Sequence, residues 1–379
     1  MASSETTLPA PVRGQPENRL VVAGQWRLMW LRFRKHKLAM AGGVVTILIY
    51  LVVAFAEFLA PTAPEDYKAA YSYAPPQMLH FISMKSGSPS LLLHVNGYKI
   101  EVDKQAGRRN FVADPEVEIP VGLFVRGAPY RLWGLIPLDV HLIGPLNDRD
   151  PMFLLGADRL GRDMLSRMIY GARISMSVGL IGVSIALVLG ILLGGLSGYF
   201  GGGVDTLIQR LIEFLQSLPS IPLWIGLAAA IPPDVDPVLV YFLITVILSG
   251  LGWTGLARVV RGRFFALKTE DFIKAARLDG NSSLRIIVRH MVPSFLSHII
   301  AVVTLAIPAM ILSETALSFL GVGLRPPIVS WGVLLSEAQN IRSLAQAPWL
   351  LLPGGCVVIA VLSLNFLGDG LRDAMDPYA

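Results

Sequence analysis

The sequence predicts an all-α integral membrane protein with six transmembrane helices and a small β-rich extracytoplasmic insert between helices 1 and 2. Three observations carry this. Hydrophobic residues make up 53% of the 379, charged residues only 16%, and the mean hydropathy is +0.58, which is less charge than a soluble domain carries. The apolar residues are gathered in runs long enough to cross about 30 Å of hydrocarbon, which takes roughly 20 residues of helix. Between the first and second runs the pattern changes to short apolar stretches alternating with polar residues, as in half-buried strands.

The runs are Leu38–Ala60, Ile174–Leu196, Leu211–Ile231, Val238–Leu256, Ile299–Leu320 and Leu350–Leu367. The third is entered by the polar stretch Gln209–Glu213 and broken by Pro219 and Pro222; the fifth is broken by Pro308. Membrane helices tolerate prolines because neighbouring groups re-satisfy the freed backbone. The first run is too long for a cleaved signal peptide and reads as a retained anchor. Ahead of it, residues before Gly24 are polar and proline-containing, a composition that predicts disorder. Trp26, Met29, Trp30 and Phe33 then recur at helical spacing among cations, which fits either a separate interfacial helix or an extension of the first span.

Cations set the orientation. Arg27, Arg32, Arg34, Lys35 and Lys37 precede the first run, and eight Lys or Arg fall between Arg258 and Pro293. Both termini and the segment 258–293 are therefore expected on the cytoplasmic side. The expected divisions are a cytoplasmic tail with its interfacial helix (1–37), the first span (38–60), the insert (61–173), a five-helix core (174–371) containing the loop 270–293, and a cytoplasmic tail (372–379). The net charge of +5 is accounted for by orientation signals and does not point to nucleic acid. One cysteine, Cys356, lies in an apolar run, so no intrachain disulfide forms and no metal site is built on it.

In the insert, Leu91–Val95, Asn96-Gly97 and Tyr98–Val102 read as a hairpin closed by a type I′ turn. Val117–Val125 and Tyr130–Ile136 are further strand candidates. His80, His94 and His141 are too dispersed for a metal site, and no catalytic constellation stands at usable spacing. Two readings of the insert stay open: a cap on the outer face, or a surface that receives a soluble binding protein or gates entry. Its end is more regular. Gly156 and Gly161 suit a tight connection, and Asp163 suits the start of a helix at Met164.

The most informative stretch is Asp271–Pro293. Glu270 to Leu278 predicts a short helix with Phe272, Ile273, Ala276 and Leu278 in its apolar set. Gly280 and Asn281 break it, Ser282 or Ser283 caps a second helix, and Pro293 marks a bend. Ala275 and Ala276 keep one face slim. A helix–break–helix in a basic loop between spans reads as a docking device for a soluble partner. The chain has no Gly-Lys pair and so no G-x-x-x-x-G-K-[ST] phosphate loop. A docking loop without its own ATPase motif implies a motor on another chain, and the chain itself is not an enzyme.

Ionisable groups at membrane depth are costly and are functional candidates. Glu314, flanked by Ser313 and Thr315, lies in the fifth run; it either lines a solute pathway or gate, or makes a structural hydrogen bond. Arg210 and Glu213 are spaced to pair locally, and Glu57 lies near the end of the first run. Gly179, Gly182, Gly190, Gly194 and Gly195 permit close helix packing.

The docking segment reads Lys274-Ala275-Ala276, three residues, Gly280, nine residues, His290-Met291-Val292-Pro293. It resembles the EAA loop of binding-protein-dependent ABC importers: Glu-Ala-Ala, three residues, Gly, nine residues, Ile-x-Leu-Pro. Lys replaces Glu, His replaces Ile and Val replaces Leu. LLGADRLGRDMLSRMIYGARIS from Leu154, GGLSGYFGGGVD from Gly194, ETALSFLGVGLRPPIVSWGVLL from Glu314 and the C-terminal LGDGLRDAMDP are similar to the dipeptide/oligopeptide/nickel permeases.

The resemblance implies the type I ABC importer permease fold in a bacterial inner membrane, contacting lipid. It also implies a homologous permease subunit as partner, each contributing half of the pathway, and an extracytoplasmic solute-binding protein. Two ATPase subunits would bind ATP and Mg. Asp271, Phe272, Lys274, Ala275, Ala276, Leu278, Gly280, His290 and Pro293 fall in the coupling loop, with the Lys274 departure touching any ion pair made by the family's Glu. Short peptides are the implied solute, with oligosaccharides or a nickel complex as alternatives. A reading of another class is an ATP-independent secondary transporter or channel, for which midplane ion sites are thin here.

Overall fold

The computed structural model describes residues 25–83, 90–103, 108–232 and 234–375; the disorder expected before Gly24 lies outside them. Helix α1 (Gln25–Lys35) and helix α2 (Lys37–Ala54) are separated by His36, whose backbone is extended and whose Nδ1 accepts the Ala39 amide at 3.3 Å. The stretch ahead of the first span is thus a helix of its own. Its Phe33 is buried with Ala39 and Ala374. The first run does not continue unbroken to Ala60. It bends at Phe55 into the single turn α3 (Ala56–Leu59).

The other long helices are α4 (Met164–Phe200), α5 (Gly202–Ser217), α6 (Ser220–Ala229) and α7 (Pro237–Leu267). In the loop that follows, α8 (Asp271–Leu278) and α9 (Ser283–Ile286) are short. Then come α10 (Leu296–Phe319), α11 (Trp331–Ser336), α12 (Ile341–Gln346) and α13 (Leu352–Met375). At 1.5 Å per residue, α4 is about 55 Å long, so it outruns the hydrocarbon its apolar middle can span.

Among the described residues, five helices are long and apolar enough to cross a membrane: α2, α4, α7, α10 and α13 with its leading turn. The third run is not a straight sixth. It breaks at Leu218-Pro219 into α5 and α6, bent by 85°, while Pro222 is accommodated in the first turn of α6. Pro308 has the opposite outcome. α10 runs straight through it. The last helix extends to Met375, so Gly368 and Gly370 of the C-terminal motif are helical and buried.

Glycines permit a close helix contact between α4 and α7. Along α4, Gly190, Gly194 and Gly198 recur every four residues and face α7. A Cβ at Gly198 would lie 2.6 Å from Cβ of Phe264, and one at Gly190 would lie 2.9 Å from Leu256. The main core gathers Met176, Val183, Ile244, Leu248 and Ile311 from α4, α7 and α10.

The insert forms one antiparallel sheet in the order β1 (Leu79–Ser83), β2 (Ser90–Asp103), β3 (Arg108–Leu132), β4 (Ile136–Pro145). The hairpin expected at Asn96-Gly97 does not exist: β2 runs through both residues as one strand. The irregularity is on the partner. Asn96 pairs with Glu118 and Gly97 with Asp114, so β3 bulges between them. A Cβ at Gly97 would sit 2.7 Å from Val117, so this glycine makes room for the bulge rather than for a turn. Val117–Val125 lies within β3. Tyr130–Ile136 is not one strand: Tyr130–Leu132 end β3, Ile136 begins β4, and Trp133–Leu135 between them form the β3–β4 turn, with Trp133 and Gly134 at φ +54° and +74°. Val95, Ile119, Val121 and Met152 make the small core of this unit.

Candidate functional site

The loop between α7 and α10 is built as a clamp around α8. Ile273 and Ala276, three residues apart, point into a buried cluster with Tyr199 of α4, Val260 and Phe264 of α7, and Ile286. The Arg277 guanidinium covers the Tyr199 ring at 4.9 Å, a cation–π contact. At its end, Asn281 N donates to Ala276 O (3.2 Å) and Gly280 N to Arg277 O (3.0 Å), with Gly280 at φ +75°. This is the glycine-terminated stop for which Gly280 is needed. After α9, whose N-cap Ser282 makes no side-chain capping bond, one π-helical turn (Ile287–Met291) buries Met291 before the chain bends at Phe295.

The residues singled out in the sequence divide by face. Phe272 (44% exposed), Ala275, Leu278 (88% exposed) and Gly280 are open, and Lys274 pairs with Asp271 on the same outer side at 3.1 Å. Leu284 and Val288 continue the exposed apolar surface. Ala276, expected to keep a docking face slim, instead faces its own bundle, because it shares the inward strip with Ile273. His290 is half-buried and Pro293 exposed, both beyond the helix.

Bonds at the ends of α4, α5 and α7 nearest this loop hold the clamp. Asp205 of α5 accepts Arg261 Nε (2.5 Å) and Nη2 (2.7 Å) from α7, and also the Ser197 hydroxyl of α4. No pattern in the sequence announced this pair, whose members are 56 positions apart.

Glu314 in α10 is fully buried. Ser318 and Ser330 donate their hydroxyls to Oε1, each at 2.8 Å, and Ser175 of α4 donates to Oε2 at 3.2 Å. Each serine also accepts a backbone amide: Ser318 from Leu324 (3.0 Å), Ser330 from Val333 (3.2 Å) and Ser175 from Trp331 (3.1 Å). One carboxylate therefore fixes the connection between α10 and α11 through three hydroxyl relays. The neighbours diverge: Ser313 is half-buried and bonds back to Ala309 O (2.8 Å), whereas Thr315 is buried. Arg210 and Glu213 pair at 2.8 Å, and Glu57 forms a two-pronged bond to Arg173.

A second charged cluster joins the start of α4 to the α11–α12 connection. Buried Asp158 accepts Arg167, Arg162 Nε (2.6 Å) and the amides of Leu160 and Arg162. Glu337 lies 3.5 Å from Arg162 and 3.7 Å from Arg167. Burial, reinforced by Asp158, raises the Glu337 carboxyl above its ordinary range. Asp163 caps α4, accepting Ser166 N (2.7 Å) and Oγ (2.6 Å). Burial still pushes its carboxyl up to about 6.

Comparison with known proteins matches this arrangement to one family. Residues 186–378, from the middle of α4 through α8 and α13, match the binding-protein-dependent transport system inner membrane component family. Residues 24–76 match the N-terminal TM domain of oligopeptide transport permease C. Oligopeptide transport system permease protein OppC of Escherichia coli (strain K12) is 39% identical over 291 residues, 74% of this chain and 94% of that protein. Dipeptide transport system permease protein DppC of Bacillus subtilis (strain 168) is 37% identical over 224 residues, 59% of this chain and 68% of that protein. A solved inward-facing structure of the MetNI methionine ABC transporter aligns with 56% of this chain and 98% of its own, at 17% identity and a TM-score of 0.44. With the family matched across half the chain, and an oligopeptide permease matched along nearly its whole length, the chain belongs to the binding-protein-dependent transport system inner membrane components, as a permease subunit rather than a catalytic one.

Proposed function

We propose that this chain is half of the translocation pathway of an ATP-driven importer of short peptides. It spans the membrane six times, with α5 and α6 together as the third crossing and both termini in the cytoplasm. A homologous permease subunit supplies the other half, an extracytoplasmic binding protein delivers the solute, and two ATPase subunits that carry ATP and Mg bind from the cytoplasm. The ATPase contact is α8. The observation that carries this is the division of its faces: Ile273, Ala276 and Arg277 fix it to α4 and α7, while Phe272, Ala275 and Leu278 stand open. A helix held rigidly on one side and apolar on the other passes a push from a soluble partner directly to the bundle. Work is transmitted only if the two ends of the cycle hold α8 in different positions.

The peptide reading follows from the oligopeptide and dipeptide permeases to which the chain is similar. The test is uptake into proteoliposomes holding the assembled transporter with its binding protein, offered labelled peptides, an oligosaccharide and a nickel complex. Peptide uptake that requires internal or external ATP on the α8 side is expected. Accumulation of an oligosaccharide or nickel alone would reassign the solute, and uptake without ATP would remove the importer reading.

A further inference from the structure

The β3–β4 turn carries an exposed apolar tip. From Arg131 to Leu138 the chain reads Arg-Leu-Trp-Gly-Leu-Ile-Pro-Leu, and Trp133 (54%), Leu135 (79%), Ile136 and Leu138 are all open. Contiguous exposed apolar surface on a folded unit marks an interaction site. Its position identifies the partner. Trp133 Nε1 donates to the carbonyl of Ala54, the last residue of α2, at 2.7 Å. α2 has 18 residues, about 27 Å of helix, close to the thickness of the hydrocarbon core. The turn therefore reaches the level at which the first span leaves that core.

The patch is also continuous with an exposed apolar side of the span. Val44, Ile47, Leu48 and Leu51 are exposed along α2, Phe55 follows them, and Trp133 lies on Phe55 with ring centroids 5.9 Å apart. Phe124 of β3, also exposed, packs at a tilt against Phe58 of α3, with ring centroids 6.0 Å apart. The charged groups of the hairpin are graded by distance from the tip. Arg131 is one pair from the end, opposite Pro137, and the Arg126–Asp139 pair lies farther back. A tryptophan bonded through its N–H and packed through its ring, with an arginine stem behind it, is the arrangement found where protein meets headgroups. The buried ring of His141, with Nδ1 2.7 Å from Ala60 O, fixes β4 to the end of α3 and so holds the turn at this height.

We propose that the Trp133–Leu138 turn is a membrane-inserted finger, immersed in the outer leaflet beside the first span, and that its partner is phospholipid. The insert is then held at a fixed height and tilt against the bilayer. The test places a nitroxide at Leu135→Cys in a Cys356→Ser background, in the full chain assembled with its partner subunits in phosphatidylethanolamine–phosphatidylglycerol nanodiscs. Ile136→Cys serves as a second position if the first disturbs folding, and Lys99→Cys on β2 is the aqueous reference. Collision with oxygen several-fold higher, and with a water-soluble nickel chelate several-fold lower, than at Lys99→Cys is expected. Nickel accessibility equal to the reference would place the turn in water. Low collision with both reagents would place it against another protein subunit. Either result overturns the proposal.

Discussion

The guanidinium of Arg277 lies over the ring of Tyr199, 4.9 Å from its centroid, and so joins α8 to the end of α4, the longest described helix. Tyr199 directly follows Gly198, the last of the glycines at which α4 presses against α7. On the proposed mechanism, a displacement of α8 would reach the glycine-lined contact of α4 with α7. Arg277→Ala removes a contact worth about 0.5–1 kcal/mol, too little to unfold the protein. Peptide transported per ATP hydrolysed is expected to fall while ATPase assembly persists. An unchanged ratio in proteoliposomes would separate this contact from coupling.

Neighbouring alanines of α8 are expected to fail in different ways. Ala276 is buried and Ala275 is open. Ala276→Trp overpacks the cluster of Ile273 and Ile286 and costs at least about 1–3 kcal/mol, so it lowers the unfolding temperature of the purified chain. Ala275→Trp leaves that temperature unchanged and weakens ATPase binding. Thermal unfolding paired with co-purification of the ATPase distinguishes the two.

How far the sequence anticipates this site depends on the range of each signal. The spans, the helix before Gly280 and the docking loop are local in origin, and their residues stand close together in the chain. Pro219 stands at a break, whereas Pro222 and Pro308 lie inside helices, because the surroundings, not the proline alone, decide whether the freed backbone is accommodated. Asn96-Gly97 has the strongest short-range turn signal in the insert, yet pairing with β3 on both sides overrode it. The Glu314 relays join Ser175, Ser318 and Ser330, up to 139 positions apart in their bonds to the carboxylate. Beside Glu314 the sequence singles out Ser313 and Thr315, and none of the three serines that bond to it.

Glu314→Ala leaves three buried hydroxyls without their acceptor. The expected loss is roughly 2–5 kcal/mol, at the scale of breaking a buried polar network, with the α10–α11 connection loosened first. Glu314→Gln keeps one acceptor oxygen and is expected to lose less. Hydrogen exchange at the Leu324, Trp331 and Val333 amides should rise in the alanine variant. Unchanged protection would mean that the loop holds itself.

Asp163 gives a pH dependence with a defined sign. Its carboxyl is raised from 3.8 to about 6 in the folded chain, so the folded state holds the proton more tightly than the unfolded state. The associated stabilisation is fully present below about pH 4 and is lost as pH rises through about 6. At about 1.4 kcal/mol per pH unit this amounts to roughly 3 kcal/mol. Glu337 is raised as well and adds in the same direction. Asp163→Asn retains a capping side chain and stays neutral. The unfolding temperature of the wild type is expected to fall relative to this variant between pH 4 and 6.5, and a constant difference would contradict the assignment.

The most direct measurement is photo-cross-linking from a benzophenone side chain at Leu278, the most exposed apolar residue of α8, in intact cells. An adduct with the ATPase subunit, whose yield changes when ATP is depleted, is the predicted result. An adduct with lipid alone, or labelling of position 278 by a membrane-impermeant reagent added outside the cells, would contradict it.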